Sequence, residues 1–309
     1  MKVIVTGSSG MIGTRLCEKL LGSGHTVIGI DKKHNNWNPE VDKVTYICNL
    51  LKGFKIKGPT LDDVDCIIHL AANARVYNSV INPVQSRDNF EMTFTVLEFA
   101  RKNGIKKIIF SSSREVYGNL KKRRCTEKDI LLEAIESPYS ATKIACEVMI
   151  QAYRRCYGIN FIILRFSNVY GMYDDSDRFI PLVIKRSLQK QDFIIFGKDK
   201  TLDFTYIDDT IHGIYLSLIH FDFSKNKIFN ISSGKGTSLS HVFKRIQSLM
   251  NFFGHVSYEE NRTGEVVTYV GNITKAKKIL GYSPMVPVDG GLRSTIGWYQ
   301  NFYKKTGGQ

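Results

Sequence analysis

A glycine-rich turn near the start of the chain constrains the fold more than any other feature. Residues 2–6 (Lys-Val-Ile-Val-Thr) have the composition of a buried strand, the turn Gly7-x-x-Gly10-x-x-Gly13 follows at once, and an amphipathic run covers residues 14–21. Glycines in such a turn let backbone N–H groups at a helix N-terminus approach a pyrophosphate, whose negative charge the helix dipole stabilises. This order of strand, turn and helix predicts a dinucleotide-binding βαβ unit.

An acidic residue strengthens this prediction and selects the dinucleotide. The second predicted strand, residues 26–31, ends in Asp31. A carboxylate about 20 residues after the turn accepts hydrogen bonds from the adenosine ribose and repels a 2′-phosphate. The sequence therefore favours NAD over NADP, although Lys32 and Lys33 soften the preference. The alternative is that Asp31 only caps a strand.

Strands and helices alternate over the first half of the chain. Besides the segments above, the patterns predict strands at 43–48, 65–70, 106–118 and 159–165, a long helix from Pro83 to Asn103-Gly104 and another from Ser137. Strict alternation predicts a parallel sheet covered on both faces. We therefore expect an α/β fold with a Rossmann-type doubly wound sheet in residues 1–170, joined by a returning strand near 227–232. Residues 171–309 are expected to form most of a smaller, interleaved substrate-binding lobe.

A tyrosine and a lysine share one face of the helix that begins at Ser137-Pro138. The serine suits the N-cap and proline suits the first turn, which places Tyr139 and Lys143 four residues apart on the helix. A phenol acts as a base at neutral pH only if its pKa falls, and a cation within about 4–6 Å typically lowers a pKa by roughly 1–3 units. Lys143 is the expected cation, and Ser113 is the expected proton relay.

Composition excludes several functional classes. The chain has 309 residues, 43% hydrophobic and 23% charged, with no long apolar run, which predicts a cytoplasmic globular protein without a membrane span. The six cysteines show no metal-ligand spacing, so we expect reduced thiols and no metal site. The net charge of +14 is interpreted as a lysine-rich surface, and we expect no nucleic-acid partner.

Taken together, the motifs resemble the extended short-chain dehydrogenase/reductase family, and within it nucleotide-sugar epimerases and dehydratases of the UDP-glucose 4-epimerase kind. The resemblance covers nearly the whole chain. Its motifs include the glycine turn, Asp31, His69-Leu-Ala-Ala72, Asn89, Ser111-Ser-Ser113, Val116-Tyr-Gly118, Tyr139-x-x-x-Lys143, Arg165-Phe-Ser-Asn168-Val-Tyr-Gly171, Asp203-Phe-Thr-Tyr-Ile-Asp-Asp209 and Arg262-Thr-Gly-Glu265.

The resemblance implies a role for each matching residue. Tyr139 would be the base, Ser113 the relay and Lys143 the cation that also binds the nicotinamide ribose, with Glu115 a further catalytic candidate. NAD would stay bound while it accepts and returns a hydride, and relatives usually form homodimers through the helix after Pro83 and the Tyr139 helix. The implied NAD-binding residues are Gly7, Gly10, Met11, Ile12, Gly13, Asp31, Asn49, Leu50, Leu70, Ala71, Ala72, Asn89, Ser111, Tyr139 and Lys143, and the implied substrate-binding residues are Arg75, Ser113, Arg114, Asn168, Arg178, Lys200 and Arg262.

Two departures from the family pattern leave the reaction open. Leu202 stands where many relatives carry a diphosphate-binding arginine, and Arg114 stands where sugar dehydratases carry an acid before the glutamate. Arginine cannot protonate a leaving hydroxyl at neutral pH, so the pattern favours a C4 epimerase that works through a transient 4-keto sugar. A dehydratase or decarboxylase of the same family is the alternative, and a non-catalytic dinucleotide-binding regulatory module is the alternative from another class.

Overall fold

The main elements follow the predicted alternation closely in the first half of the chain. The computed structural model describes residues 1–120, 122, 124–252 and 254–305, so residues 121 and 123 of the predicted first region and residues 253 and 306–309 of the predicted second lobe lie outside the described residues. The strands are β1 (Lys2–Thr6), β2 (Thr26–Asp31), β3 (Thr45–Ile47), β4 (Cys66–His69), β5 (Lys107–Ser113), β6 (Asn160–Phe166), β7 (Asn168–Tyr170), β8 (Phe193–Phe196), β9 (Thr201–Tyr206), β10 (Lys227–Ile231), β11 (Gly236–Ser238), β12 (Val256–Glu259) and β13 (Thr268–Tyr269).

Helices fill most of the connections between these strands. They are α1 (Met11–Gly22), α2 (Pro39–Lys43), α3 (Val76–Ile81), α4 (Val84–Lys102), α5 (Pro138–Tyr157), α6 (Phe179–Leu188), α7 (Ile207–Ile219), α8 (Phe221–Ser224), α9 (Leu239–Met250), α10 (Thr274–Leu280) and α11 (Val288–Lys305). Short 3₁₀ turns lie at Leu50–Lys52, Arg114–Tyr117 and Leu132–Ala134.

Seven parallel strands form the main sheet within the described residues, in the order β10-β6-β5-β4-β1-β2-β3. The order reverses beside β1, and β10 returns to pair with β6, as the sequence predicts. Along β1, Val3 and Val5 belong to one buried cluster and Ile4 belongs to another. Alternate side chains point to opposite faces of a strand, so both faces of the sheet are covered, and the predicted α/β doubly wound fold is confirmed.

Two predicted strands are shorter than expected, for local reasons. Lys43 ends α2 rather than starting β3, because the Asn38 side chain caps α2 by accepting hydrogen bonds from the backbone N–H groups of Glu40 and Val41. The strand predicted to reach Gly118 ends at Ser113, whose hydroxyl accepts from the Glu115 N–H at 3.2 Å and starts a 3₁₀ turn.

The later part of the chain builds a second layer and also returns to the first. Strands β7, β9, β11 and β13 form one small sheet, and β8 pairs with β12. Helix α7 packs against α1, and β10 joins the main sheet, so these segments after residue 171 belong structurally to the first region. Among the described residues, no helix combines the length and the apolar composition that crossing a bilayer requires.

Candidate active site

A cleft of about 450 Å³ lies between the carboxyl ends of the main strands and the second lobe. Parallel sheets of this kind bind ligands at that edge, beside the point where the strand order reverses. The cleft is lined by many of the predicted site residues: Gly7, Gly10, Met11, Ile12, Gly13, Leu70, Ala72, Arg75, Ser111, Ser113, Arg114, Glu115, Tyr139, Lys143, Asn168, Arg178, Lys200 and Arg262.

The glycine turn forms a cradle that a side chain would fill. A Cβ on Gly13 would lie 1.9 Å from the Gly7 carbonyl oxygen, and Gly7 has φ +76° with the backbone of Ala71 alongside. Gly10 precedes α1 as an N-cap without a side chain, so the first N–H groups of the helix are free to bind an anion. These residues fit the pyrophosphate of a dinucleotide.

Asp31 lies at the end of β2, next to this cradle. Its Oδ2 accepts a hydrogen bond from the Ser9 N–H at 3.0 Å, and its Oδ1 accepts from the Lys33 N–H at 3.2 Å. The carboxylate is only half-buried, so it also has the exposure needed to accept a ribose hydroxyl.

Five predicted cofactor residues do not line the cleft: Asp31 and Ala71 lie beside the glycine turn, and Asn49, Leu50 and Asn89 have structural partners elsewhere. Asn49 caps a 3₁₀ turn by accepting from the Leu51 N–H at 3.1 Å, and Leu50 is buried in the core. Asn89 is also buried, and its amide bonds the backbone N–H and carbonyl of Asn73 at 2.7 and 3.1 Å. Asn89 therefore holds the segment between β4 and α3 in place.

Ser113, Tyr139 and Lys143 meet in the cleft as the sequence predicts. Ser137 caps α5 by accepting from the Ser140 N–H, which orients Tyr139 in the first turn. The Ser113 side chain is close enough to Tyr139 to lower the pKa of its hydroxyl. The Lys143 ammonium lies 5.8 Å from the centre of the Tyr139 ring and donates to the Ser111 carbonyl at 2.8 Å.

Burial has the largest effect on the pKa values of Tyr139 and Lys143. It raises the pKa of the Tyr139 hydroxyl to about 12, a rise that the Ser113 side chain opposes and the Glu115 carboxylate increases. The charges of Arg178 and Arg114 lower this pKa. Burial also lowers the pKa of Lys143 to about 8, and Glu147 partly offsets this. In the protein alone, desolvation thus outweighs the expected activation of the tyrosine.

Arg114 and Glu115, which both line the cleft, form a buried ion pair. Arg114 Nη2 lies 2.7 Å from Glu115 Oε1, and Arg114 Nε donates to Asn168 Oδ1 at 3.0 Å. Burial raises the pKa of Glu115, whereas the Arg114 guanidinium lowers it.

Arginines gather in another part of the cleft. Arg75 pairs with Asp177, and Arg178 Nη1 lies 3.5 Å from Asp174. Burial lowers the pKa of Arg75 to about 10, with the nearby Arg178 charge as the next cause. These side chains, with Arg262, give the cleft the positive charge that a diphosphate requires.

Sequence reasoning missed the groups that orient two of the predicted cations. The Lys200 ammonium pairs with Glu265, and the Arg262 guanidinium lies 4.0 Å from the centre of the Phe196 ring and 4.8 Å from that of Tyr77. Glu265 lies in the Arg262-Thr-Gly-Glu265 motif, which was the available signal for it. No sequence pattern distinguished the two aromatic residues.

The histidine in β4 is buried and has structural partners. His69 bonds the hydroxyls of Thr6 and Thr93 at 2.7 and 3.2 Å. Burial, followed by the Lys143 charge, lowers its pKa to about 3, so it stays neutral at physiological pH.

Comparisons with known proteins agree with this geometry. The model of the NAD-dependent epimerase/dehydratase family matches residues 3–232. A Methanocaldococcus jannaschii protein, provisionally named a UDP-glucose 4-epimerase, is 35% identical, with 97% of this chain and 98% of that protein covered. The UDP-glucuronic acid 4-epimerase of Bacillus cereus, crystallised with UDP-glucuronic acid and NAD, superposes with a TM-score of 0.86 at 28% identity, covering 98% and 100% of the two chains. A dTDP-glucose 4,6-dehydratase of Streptomyces venezuelae, crystallised with NAD, gives a TM-score of 0.88 at 26% identity, covering 99% and 98%.

Proposed function

Because this chain belongs to the NAD-dependent epimerase/dehydratase family, we propose that it is a nucleotide-sugar 4-epimerase that works through a transient 4-keto sugar. The choice between these reactions rests on one observation. Arg114, directly after Ser113, forms an ion pair with Glu115. Elimination of water needs an acid for the leaving hydroxyl and a base for the C5 proton. Glu115 is a single carboxyl group, and Arg114 stays charged, so this pair suits epimerisation better than dehydration.

The proton chemistry falls to the residues that meet in the cleft. Tyr139 takes the proton of the sugar 4-hydroxyl, with Ser113 as the relay, and later returns a proton to the same oxygen. NAD, when bound, would supply the acceptor and the donor for the hydride that leaves C4 and returns to its opposite face. No net oxidation results, because the hydride removed in the first step is restored in the second. Lys143 holds the nicotinamide ribose, a role that its position beside Tyr139 supports.

We assign binding of the nucleotide diphosphate to Arg75, Arg178 and Arg262. Arg178 and Arg262 line the cleft with Arg75, and Arg262 is positioned by stacking on Phe196. They would take over the role of the diphosphate-binding arginine that many relatives carry at the position of Leu202. Lys200 is paired with Glu265, as Arg75 is with Asp177 and Arg178 is with Asp174.

A panel of UDP-, dTDP-, CDP- and GDP-sugars tests the reaction, with products identified by mass spectrometry and NMR. The expected product has the mass of the substrate and inverted configuration at C4. With 4-deuterated substrate, the label should remain on C4 because the hydride returns to the carbon from which it came. Loss of water or of carbon dioxide would establish the dehydratase or decarboxylase alternative instead. No product from any sugar would favour the regulatory module.

The outer faces of α4 and α5 support the proposal of a homodimer. Phe90 and Phe94 on α4 are 37% and 47% exposed, and Val148 on α5 is 60% exposed. The two helices pack against each other, so these apolar side chains lie on a common surface suited to a second copy. We place the protein in the cytoplasm, where its six free cysteines would stay reduced.

A further inference from the structure

The part of the cleft around Glu115, here called the balanced end, contains two ion pairs. There the ion pair Arg114–Glu115 lies near the pair Lys200–Glu265, and the charges of both Lys200 and Glu265 act on Glu115. Arg114 and Glu115 are 8% and 4% exposed, so bulk water does not screen them. Two cations and two anions leave this end without net charge.

This balanced end also holds polar atoms without partners. Within the described part of the chain, Arg114 Nη1 and Asn168 Nδ2 are buried and have no acceptor in hydrogen-bond range. The two side chains are already joined through Arg114 Nε and Asn168 Oδ1, so their remaining N–H groups are fixed in direction. Buried donors are normally satisfied, which indicates that oxygen atoms of a ligand complete them.

The unpartnered N–H groups of Arg114 and Asn168 belong to side chains close to Tyr139, the proposed base. The Ser113 hydroxyl, which lowers the pKa of Tyr139, accepts from the Glu115 N–H at 3.2 Å. The charges of Arg114 and Glu115 both act on the Tyr139 phenol. Groups next to C4 of a bound sugar would therefore face this cluster.

We propose that Arg114, Glu115 and Asn168 form a charge-neutral subsite for the hydroxyl oxygens of an uncharged hexose, so that the enzyme discriminates against nucleotide-linked uronic acids. This inference rests on the proposed function and names the substrate class. The two N–H groups donate to the hydroxyl oxygens of a neutral sugar without further compensation. A 6-carboxylate would place a second anion beside Glu115, and Glu115 already neutralises the only guanidinium in the subsite.

The first test compares UDP-glucose with UDP-glucuronic acid, which differ only at C6. Binding to the NAD-loaded protein is measured by calorimetry, and no turnover is needed. We expect UDP-glucose to bind at least about tenfold more tightly, since like charges in contact are costly in a desolvated site. Equal or tighter binding of UDP-glucuronic acid, or binding of neither sugar, would overturn the proposal.

Two variants then test whether the preference for UDP-glucose comes from Glu115 itself or from the total charge of the cleft. Glu115→Gln keeps the size of the side chain and frees the Arg114 charge, so it should reduce the preference for UDP-glucose by about tenfold. Glu265→Gln removes the same charge from the neighbouring pair, and its effect should be several-fold smaller. An equal change in both variants, or none in Glu115→Gln, contradicts the assignment. Melting curves and NAD content verify that each variant is folded.

Failure of this inference is distinguishable from failure of the proposed reaction. The subsite is judged from the ratio of two affinities, whereas the reaction is judged from the configuration and mass of the product. A uronic acid that binds well and is epimerised at C4 would leave the proposed reaction intact and refute the neutral subsite.

Discussion

Both carboxylate oxygens of Glu147 accept hydrogen bonds from the Arg165 guanidinium, at 2.9 and 2.7 Å, and both side chains are almost fully buried. Glu147 lies one turn after Lys143 on α5, and its Oε1 also accepts from the hydroxyl of Ser112, the residue before Ser113 on β5. This ion pair therefore fixes α5, β5 and β6 relative to one another behind the proposed catalytic residues.

Breaking this pair should destabilise the protein strongly. Arg165→Met leaves the Glu147 carboxylate buried without its cation, which costs about 3–5 kcal/mol of unfolding free energy. Lys43→Met, which breaks the exposed Lys43–Glu40 pair, should cost less than about 1 kcal/mol. Urea denaturation of both variants measures the difference. Comparable losses would show that the buried pair does not hold the strands and helix together.

Tyr139→Phe removes the proposed base while keeping the ring. Turnover should fall by about a hundredfold to ten-thousandfold, the range typical of general acid–base catalysis. Bound NAD, released by denaturation and read by absorbance, should be unchanged. Tyr157→Phe, an exposed position on the same helix, is the matched control and should keep wild-type turnover. Normal product formation by Tyr139→Phe would refute the catalytic assignment.

The glycine turn can be tested with two glycines of the same helix. Gly13→Ala places a methyl group 1.9 Å from the Gly7 carbonyl oxygen, whereas a methyl group on Gly22 meets no atom within 4 Å. Gly13→Ala should weaken NAD binding at least about tenfold because the turn must move. Gly22→Ala should leave the affinity unchanged. Fluorescence titration with NAD gives both values, and equal affinities would contradict the close-packing argument.

Acid should destabilise the fold through His69. Its folded-state pKa of about 3 lies below the ordinary value of 6.5, so the unfolded chain binds a proton first as the pH falls. Stability should decrease by up to about 1.4 kcal/mol per pH unit as the pH falls below about 6.5 towards 3. His69→Gln should be less stable at pH 7.5 but should lose stability less steeply between pH 6.5 and 5. Parallel slopes would show that other groups dominate the acid response.

The proposed dimer can be tested at its apolar surface. Phe94→Glu places a charge on the exposed face of α4 and should convert a dimer to a monomer in light scattering. Phe223→Glu changes a phenylalanine that is 81% exposed on α8, and it should leave the oligomeric state unchanged. A wild-type protein that is already monomeric would refute the dimer directly.

The main sheet could be predicted from sequence because its signals are local. The glycine turn, Asp31 and the alternation of strands and helices each act over a few residues. The start of α5 is equally local, since the Ser137 hydroxyl and Pro138 lie within one turn of Tyr139. The early end of β5 shows the limit of such reasoning, because the chain enters a 3₁₀ turn capped by the Ser113 hydroxyl where the sequence predicts more strand.

The sequence by itself determined the α/β class, the dinucleotide cradle and the Ser113, Tyr139 and Lys143 set, because these depend on short-range spacing and backbone sterics. Only the tertiary structure decided how the charges are used. It paired Lys200 with Glu265, left Arg114 and Asn168 with free donors, assigned Asn89 to the backbone of Asn73, and raised the pKa of Tyr139 to about 12. Pairing and desolvation depend on which distant residues meet and on how much water they exclude, and a linear pattern records neither.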